Sequence, residues 1–462
     1  MSEPAAGGLP VGFGIEFDPT LRRPAADVLV GGTPSRMLRL SGRGLDAFAE
    51  LESGQVRSAA GGVLARRLTD AGLAHPQPPA AAEPDLVVIV PAYGRPDLLD
   101  RCLTALGRVF PVLVVDDASP QPPTDVVARH GAALIRRGSN GGPGAARNTG
   151  LAATDAEFVA FVDSDAAAGP EVLAALAGHL ADPAVAAAAP RIRIVRTTAR
   201  TTGYAAGRSA LDLGARPAAV RPDSHVTYLP STVLVVRRSC LGAGFDEALR
   251  VGEDVDLVWR LHDAGHVVRY DPSVAVEHVE PWTWSGLLGR RYRYGRSAAH
   301  LTRRHPGRLT PLVVEPWTGT GTVALLAGRP RVAAAALAGG VVAEWRRRGR
   351  LGLPRRTAPV VVARRAQAAW CNGGAWAVRF LGPVLAVAVV RKVRLGRIPA
   401  GLLALVLAEP VASWWAARDR AAGPITHVLG HLAEDIAYGA GVMSGCARER
   451  TVEPVLPTVR RV

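Results

Sequence analysis

Two carboxylates separated by one residue give the clearest indication of chemistry in this 462-residue chain. Asp163 and Asp165 flank Ser164 directly after residues 158–162, an apolar run that predicts a buried strand. Carboxylate oxygens are the hard ligands that Mg²⁺ and Mn²⁺ prefer, and such an ion can neutralise a phosphorylated leaving group. The spacing therefore predicts a divalent metal site, with a solvated acidic turn as the alternative interpretation.

A second group of carboxylates, Glu253, Asp254 and Asp256, lies within residues 252–260, where the pattern predicts the start of a helix. A carboxylate in a cleft can act as a general base toward a hydroxyl group. The same side chains could instead only complement the positive end of the helix dipole, which is worth about 0.3–1 kcal/mol. Both interpretations are open at the level of the residues.

The elements that must position these side chains alternate between strands and helices. Apolar runs at residues 86–90, 112–115 and 158–162 predict buried strands, and residues 98–106 and 126–130 have helical spacing. Such alternation predicts an α/β fold with a mostly parallel sheet that binds ligands at the carboxyl ends of its strands. Further candidate binding residues lie after these strands: Ala92, Tyr93, Asp116, Asp117, Arg147 and Asn148.

The order of these motifs resembles the family-2 inverting glycosyltransferases of the GT-A fold, and the resemblance covers residues 84–305. It implies a UDP-sugar donor bound with Mg²⁺ or Mn²⁺, and Asp163 and Asp165 match the Asp-x-Asp metal motif of that family. His278, after a predicted strand at residues 274–276, is expected to complete the metal site, with packing as its alternative role. The residues implied to contact the donor are Ala92, Tyr93, Asp116, Asp117, Arg147, Asn148 and Ser164.

The resemblance also assigns roles to the second carboxylate group. Asp254 is expected to be the general base, because inversion requires a carboxylate on the face opposite the leaving nucleotide. Glu253 is expected to orient the acceptor hydroxyl groups. The Gln-x-x-Arg-Trp motif of processive polysaccharide synthases is not present, which argues against a synthase of that kind.

Residues 1–78 predict a small winged-helix-like module, and residues 79–84 form a proline-rich linker. Strands at residues 27–30 and 36–40 precede a helix from Ser41 to Leu51 and a second helix that carries Leu64, Leu68 and Leu73. The module resembles peptide-recognition domains, which capture a leader peptide as an added strand. A generic packing domain is the alternative.

Fused to a family-2 transferase, such a module resembles the mycofactocin-system glycosyltransferases. That resemblance implies an acceptor that is a redox cofactor derived from a peptide, carrying β-linked glucose from UDP-glucose. A cell-envelope glycosyltransferase acting on a lipid-linked glycan and an inactive sugar-nucleotide-binding scaffold are the competing interpretations.

The remaining sequence predicts a transferase domain over residues 85–312 and a helical, membrane-associated region over residues 313–462. The formal charge is +15, and late arginine clusters alternate with apolar runs at residues 323–342, 376–390 and 398–415. This pattern favours an anionic membrane surface over nucleic acid as partner. We therefore expect attachment, peripheral or by one span, to the cytoplasmic face of the membrane, with helix packing as the alternative. The four cysteines have no metal-type or disulfide-type spacing.

Overall fold

A computed structural model describes residues 7–81, 83–195, 200–222, 224–280, 283–350, 353–394, 400–418 and 422–460. The chain divides into two compact units. The first unit contains residues 1–195 and 210–279, and the second contains residues 196–209 and 280–462. The sequence segments 1–78 and 85–279 thus fall largely within one unit.

The amino-terminal part of the first unit combines five short strands with two helices around a core that includes Leu29, Leu51 and Leu68. Ser41 accepts a hydrogen bond from the backbone of Gly44 and so begins the first helix, as its hydroxyl predicts. Strands β2, β3 and β4 form an antiparallel sheet, and β1 pairs with β5. The elements are β1 (Gly14–Phe17), β2 (Arg22–Ala25), β3 (Val28–Gly31), β4 (Arg36–Arg39), α1 (Gly42–Leu51), α2 (Ala59–Asp70) and β5 (Ala74–Gln77).

Two details of this region differ from the sequence expectation. Helix α2 ends at Asp70 rather than reaching Leu73, because Gly72 has a φ of 68°, a left-handed conformation that ends the helix. Residues 74–77, just before the predicted linker, form strand β5, which pairs antiparallel with β1. Pro76 and Pro78 concealed this strand, because proline lacks a backbone hydrogen-bond donor and is uncommon inside strands.

A mixed sheet forms the centre of the first unit, with the strand order β10-β14-β11-β13-β9-β6-β7-β8 and β12 paired to β14. The strands β6 to β9 are parallel to their neighbours within that half, as predicted, whereas β13 is antiparallel to both β9 and β11. The expectation of a mostly parallel sheet is therefore correct for only half of it. The strands are β6 (Leu86–Ala92), β7 (Val112–Asp116), β8 (Ala133–Arg136), β9 (Phe158–Val162), β10 (Ala166–Ala167), β11 (Val185–Ile194), β12 (Ala218–Ala219), β13 (Val233–Arg237) and β14 (Val267–His278).

Helices cover this sheet and bury its apolar side chains in a continuous core. Leu99 and Leu103 of α3 and Leu173 and Leu176 of α6 are fully enclosed in that core. Gly150 allows α5 to approach β6 closely, because a methyl group there would overlap the side chain of Ile89. The helices are α3 (Pro96–Leu106), α4 (Thr124–His130), α5 (Pro143–Leu151), α6 (Pro170–His179) and α8 (Glu253–Asp263).

The second unit is mainly helical. Helices α9 and α14 pack closely together, because each glycine at the contact lies directly against the backbone of the other helix. These glycines are Gly295, Gly441 and Gly445. Of the described helices, α13 is long and apolar enough to cross a membrane, although the predicted run begins at Ile398, outside the described residues. The elements are α7 (Arg200–Arg208), α9 (Trp284–Arg304), β15 (Val313–Val314), α10 (Pro316–Leu326), α11 (Pro330–Arg350), α12 (Ala358–Arg394), α13 (Ala400–Ala417), α14 (Pro424–Glu449) and β16 (Thr458–Val459).

Candidate active site

The Asp-x-Asp carboxylates lie at the carboxyl end of β9, in the middle of the sheet. The backbone N–H of Asp163 donates to the carbonyl of Thr232, which fixes the turn against the residue before β13. The side chains of Asp163 and Asp165 are each about one quarter to one third exposed, at 26% and 30%. Both carboxylates therefore remain accessible to a ligand while their backbone is held in place.

His278 stands beside this motif at the end of β14. The strand pairing places His278 opposite Ala166, and His278 Nε2 lies 3.2 Å from Asp165 Oδ1. The imidazole is buried, and the backbone N–H of the next residue, Val279, donates to the carbonyl of Asp165. The Asp165 carboxylate and the His278 imidazole are thus in contact at this strand end, and both are ligand types that a divalent cation accepts.

Arg147 joins the two carboxylate motifs. Its guanidinium donates from Nη2 to Asp163 Oδ1 at 2.6 Å and from Nη1 to Glu253 Oε1 at 2.9 Å. Arg147 is only 2% exposed and lies over the ring of Phe245, whose centroid is 5.2 Å from Cζ. The buried guanidinium thus connects two carboxylates that lie 16 and 106 positions after Arg147 in the sequence.

Asp254 is the second residue of α8, which begins at Glu253 after Gly252, whose φ of 87° turns the chain into the helix. Asp254 Oδ1 accepts a hydrogen bond from the backbone of Val255 at 2.8 Å, and the backbone of Ser231 also donates to it. Burial and the adjacent negative charge of Glu253 raise the pKa of Asp254 to about 7. A carboxyl with such a pKa exchanges protons near neutral pH, as a general base must.

Apart from Arg147, the predicted donor-contacting residues fall into two groups, of which the first lies at the strand ends. Tyr93 is 55% exposed just after β6, Ser164 is half-buried between the two aspartates, and Ala92 is buried at the end of β6. These residues surround the same strand ends as Asp163. Their contact with a donor stays a prediction.

The second group supports the surrounding loops. Asp116 Oδ1 accepts from the backbone of Ser119 and Oδ2 from Arg136, while Asp117 accepts from the backbones of Gly141 and Gly142 at 2.9 and 2.7 Å. These contacts hold the glycine-rich segment against β7.

Asn148 has a comparable role. It accepts a hydrogen bond from the backbone of Phe245 and donates to the carbonyl of the same residue. All three side chains are engaged within the protein, so any donor contact they make is added to these bonds.

Two residues of the site were not recognised in the sequence. The ring of Phe245 lies under the guanidinium of Arg147, and its backbone is hydrogen-bonded to Asn148. Arg137 lies 3.0 Å from Asp117 Oδ1 and donates to Thr149 Oγ1 at 2.7 Å. Arg137 follows a strand end directly, a position shared by the recognised motifs, and this register could have identified it. Phe245 lies in a turn without periodicity, so no local pattern indicates it.

Comparisons with known proteins identify the family of the chain. The family model for glycosyl transferase family 2 matches residues 87–239. The pre-mycofactocin glycosyltransferases of two Mycobacterium tuberculosis strains, CDC 1551 / Oshkosh and H37Rv, are 36% identical to the chain, covering 98% of it and 99% of their own length. The chain belongs to the pre-mycofactocin glycosyltransferase family. The resemblance predicted from the motifs is confirmed, as are glycosyltransferase activity and the GT-A class of the fold.

Solved structures give weaker similarities. A mannosyltransferase from Pyrobaculum calidifontis in complex with GDP-Man and Mn²⁺ is 19% identical with a TM-score of 0.39, covering 73% of this chain and 89% of that one. Glucosyl-3-phosphoglycerate synthase from Mycobacterium tuberculosis in complex with Mn²⁺, UDP-Glc and phosphoglyceric acid is 17% identical with a TM-score of 0.37, covering 47% of this chain and 79% of that one.

Proposed function

We propose that this glycosyltransferase transfers a hexose with inversion from a UDP-sugar to pre-mycofactocin, a small redox cofactor derived from a peptide. The name of the full-length relatives supports the acceptor. The observation that carries the reaction type is the Arg147 bridge, which connects Asp163 with Glu253, the neighbour of Asp254. This bridge supports the proposal that residues for the donor and for the acceptor act at one site.

Asp163, Asp165 and His278 are the residues that would hold Mg²⁺ or Mn²⁺. The exposed carboxylate edges and the adjacent imidazole fit such an ion. When bound, the ion would neutralise the charge that develops on the nucleoside diphosphate. Arg147 neutralises part of the negative charge of these carboxylates, because it pairs with Asp163.

Asp254 is proposed to accept the proton of the attacking acceptor hydroxyl. Its raised pKa supports this role, because a base is most effective when its pKa lies near the working pH. Glu253 is proposed to orient that hydroxyl while it shares Arg147 with Asp163. Ala92, Tyr93 and Ser164 are proposed to contact the donor.

The donor is proposed to be UDP-glucose, and the product to carry a short chain of β-linked glucose. Both points rest on the resemblance to the mycofactocin system. The amino-terminal residues 1–78 are proposed to recognise the acceptor or its precursor peptide through an open sheet edge, of which β4 is one.

The deciding experiment incubates the purified full-length protein with the peptide-derived aglycone and, separately, UDP-glucose, UDP-galactose and GDP-mannose. We expect successive hexose mass increments with UDP-glucose, removable by a β-glucosidase. In Asp254→Asn the increments should fall by about 10²–10⁴-fold, the usual contribution of a general base. Calorimetry should show unchanged UDP-glucose binding in that variant.

Two other results would redirect the proposal. Hexose on extracted lipids with none on the aglycone would identify a lipid-linked acceptor. If the protein binds the donor but neither transfers the sugar nor slowly hydrolyses the donor in the presence of metal, it would be identified as a scaffold.

Attachment to an anionic membrane surface is proposed for the second unit, on the cytoplasmic face. Large apolar side chains are exposed on its helices, among them Val323, Trp415, Ile425 and Leu429. Exposed arginines occur beside them, such as Arg448 on α14, the helix that carries Ile425 and Leu429. This combination is typical of surfaces that enter the headgroup region of an anionic bilayer.

A further inference from the structure

Three side chains of the second unit direct potential ligand atoms to one point. Glu409 lies on α13, and His431 and Asp435 lie on α14. One ligand atom from each lies within 4.8 Å of the others. None of these residues belongs to the candidate active site, which is built in the first unit.

The helices explain why the three side chains meet. His431 and Asp435 are four residues apart on α14, so they project from one helix face, and His431 Nε2 lies 3.6 Å from Asp435 Oδ2. Helices α13 and α14 pack together, and Glu409 faces this pair across the helix interface. Two ligands at this spacing on one helix, completed from a neighbouring element, are a recurrent arrangement in metal sites.

The histidine at the centre of this cluster is fully buried, with 0% exposure. His431 Nε2 and Glu409 Oε2 are in close contact with each other. Within the part of the chain that the structure describes, neither atom has a hydrogen-bond partner outside this cluster, and His431 Nδ1 has none at all. Because buried polar atoms are almost always fully satisfied, atoms that face only one another suit a ligand that they share.

The other oxygens of the two carboxylates are held by arginines. Arg208 Nη1 lies 3.3 Å from Glu409 Oε1, and Arg379 Nε donates to Asp435 Oδ1 at 2.9 Å. Each carboxylate is therefore oriented by an outer partner while its second oxygen faces His431. Outer partners of this kind fix the geometry of metal ligands.

The nearby charges distinguish this cluster from the adjacent ion pairs. Glu434, the neighbouring buried carboxylate, accepts from Tyr204 at 2.8 Å and lies 3.2 Å from Arg291. Both of its oxygens are thus engaged by donors, whereas Glu409 Oε2 faces only the imidazole. The available atoms are one nitrogen and two oxygens, a set that suits Zn²⁺ and related first-row ions better than Mg²⁺ or Ca²⁺.

We propose that Glu409, His431 and Asp435 bind a divalent transition metal, for which Zn²⁺ is the probe, and that this ion joins α13 to α14. Three protein ligands leave further coordination positions, which water would fill. The role assigned to the ion is structural, because no residue of the Asp-x-Asp motif takes part.

The test measures Zn²⁺ bound per chain by mass spectrometry of the metal, in full-length protein without donor or acceptor. An Asp163→Asn, Asp165→Asn background removes the Asp-x-Asp contribution. In that background we expect one Zn²⁺ per chain, lost in His431→Gln. Co²⁺ in place of Zn²⁺ should give visible absorption that the same substitution abolishes.

His427→Gln is the matched control. His427 is equally buried one turn earlier on α14, but its Nε2 lies 3.2 Å from Ser413 Oγ. Its variant should keep the Zn²⁺ and the Co²⁺ absorption. Equal metal content in the two histidine variants would overturn the proposal and identify a network of ion pairs only.

A second variant covers the case in which His431→Gln does not fold. Asp435→Asn keeps an oxygen for Arg379 and should weaken Zn²⁺ binding at least tenfold. Added Zn²⁺ should also raise the melting temperature of the background protein, and absence of both effects would reject the site. Because no sugar nucleotide is used, these results are independent of transferase activity.

Discussion

At the scale of single residues, the proposed role of Asp254 as general base leads to a prediction about pH. Because the pKa of Asp254 is raised to about 7, the carboxylate proposed to accept the proton is lost as the pH falls through that value. We expect kcat/KM for transfer to rise with pH and level off above about 7. Initial rates across a pH series at subsaturating acceptor measure this directly.

The variant Glu253→Gln tests whether the charge of Glu253 shifts this pH profile. Removing a negative charge beside Asp254 lowers the cost of ionising it, so the rising limb should move to lower pH. The raised pKa of Asp254 also makes the free energy of unfolding depend on pH. A carboxyl whose pKa is raised in the folded state contributes most to stability below its unfolded value near 3.9 and loses that contribution as the pH rises toward 7. An unmoved limb in Glu253→Gln would assign the titration to another group.

Arg147 is expected to be as important for stability as for activity. Arg147→Met leaves Asp163 and Glu253 without their shared partner, and breaking a buried ion pair in this way costs about 3–5 kcal/mol. The control is Arg238→Met, whose partner Asp155 is fully exposed, so that solvent screens the pair and its loss should have little effect on stability. Chemical denaturation of both variants measures the difference, and equal midpoints would contradict the bridge.

At the scale of elements, most of the candidate site could be read from the sequence because its residues follow apolar strands. Continuous runs such as residues 158–162 predicted the strand without error, and the cap at Ser41 was found from its residue type. The antiparallel insertion of β13 could not be predicted, since an apolar strand has no periodicity that reveals its direction. The role of Phe245 was also missed, because it depends on contacts with residues distant in sequence, which no local pattern reveals.

The contact between α9 and α14 supplies a prediction about helix packing. A side chain at Gly441 would overlap the backbone carbonyl of Tyr292, so Gly441→Val should lower the melting temperature by several degrees. Gly373→Ala on α12 is the control, because nothing lies within 4 Å of its added carbon. Hydrogen exchange should increase in α9 and α14 of the valine variant only.

At the scale of the whole molecule, the proposed membrane attachment combines the formal charge of +15 with the exposed apolar side chains of the second unit. We expect the protein to float with vesicles containing anionic lipid and to be released as salt is raised, because exposed charges are screened within about 10 Å at 0.1 M ionic strength. Ile425→Glu with Leu429→Glu should reduce flotation at low salt. Val109→Glu, an equally exposed site in the first unit, should not.

The amino-terminal strands and the catalytic sheet share one unit, and their junction is charged and buried. Arg66 donates to both oxygens of Asp182 at 2.5 and 2.6 Å, and Arg221 donates to the carbonyl of Asp70. If a peptide is captured on β4, its anchoring point therefore has a constant separation from the Asp163 site. An extended chain covers about 3.3 Å per residue, so the enzyme would act as a ruler that selects acceptors by the number of residues between leader and sugar.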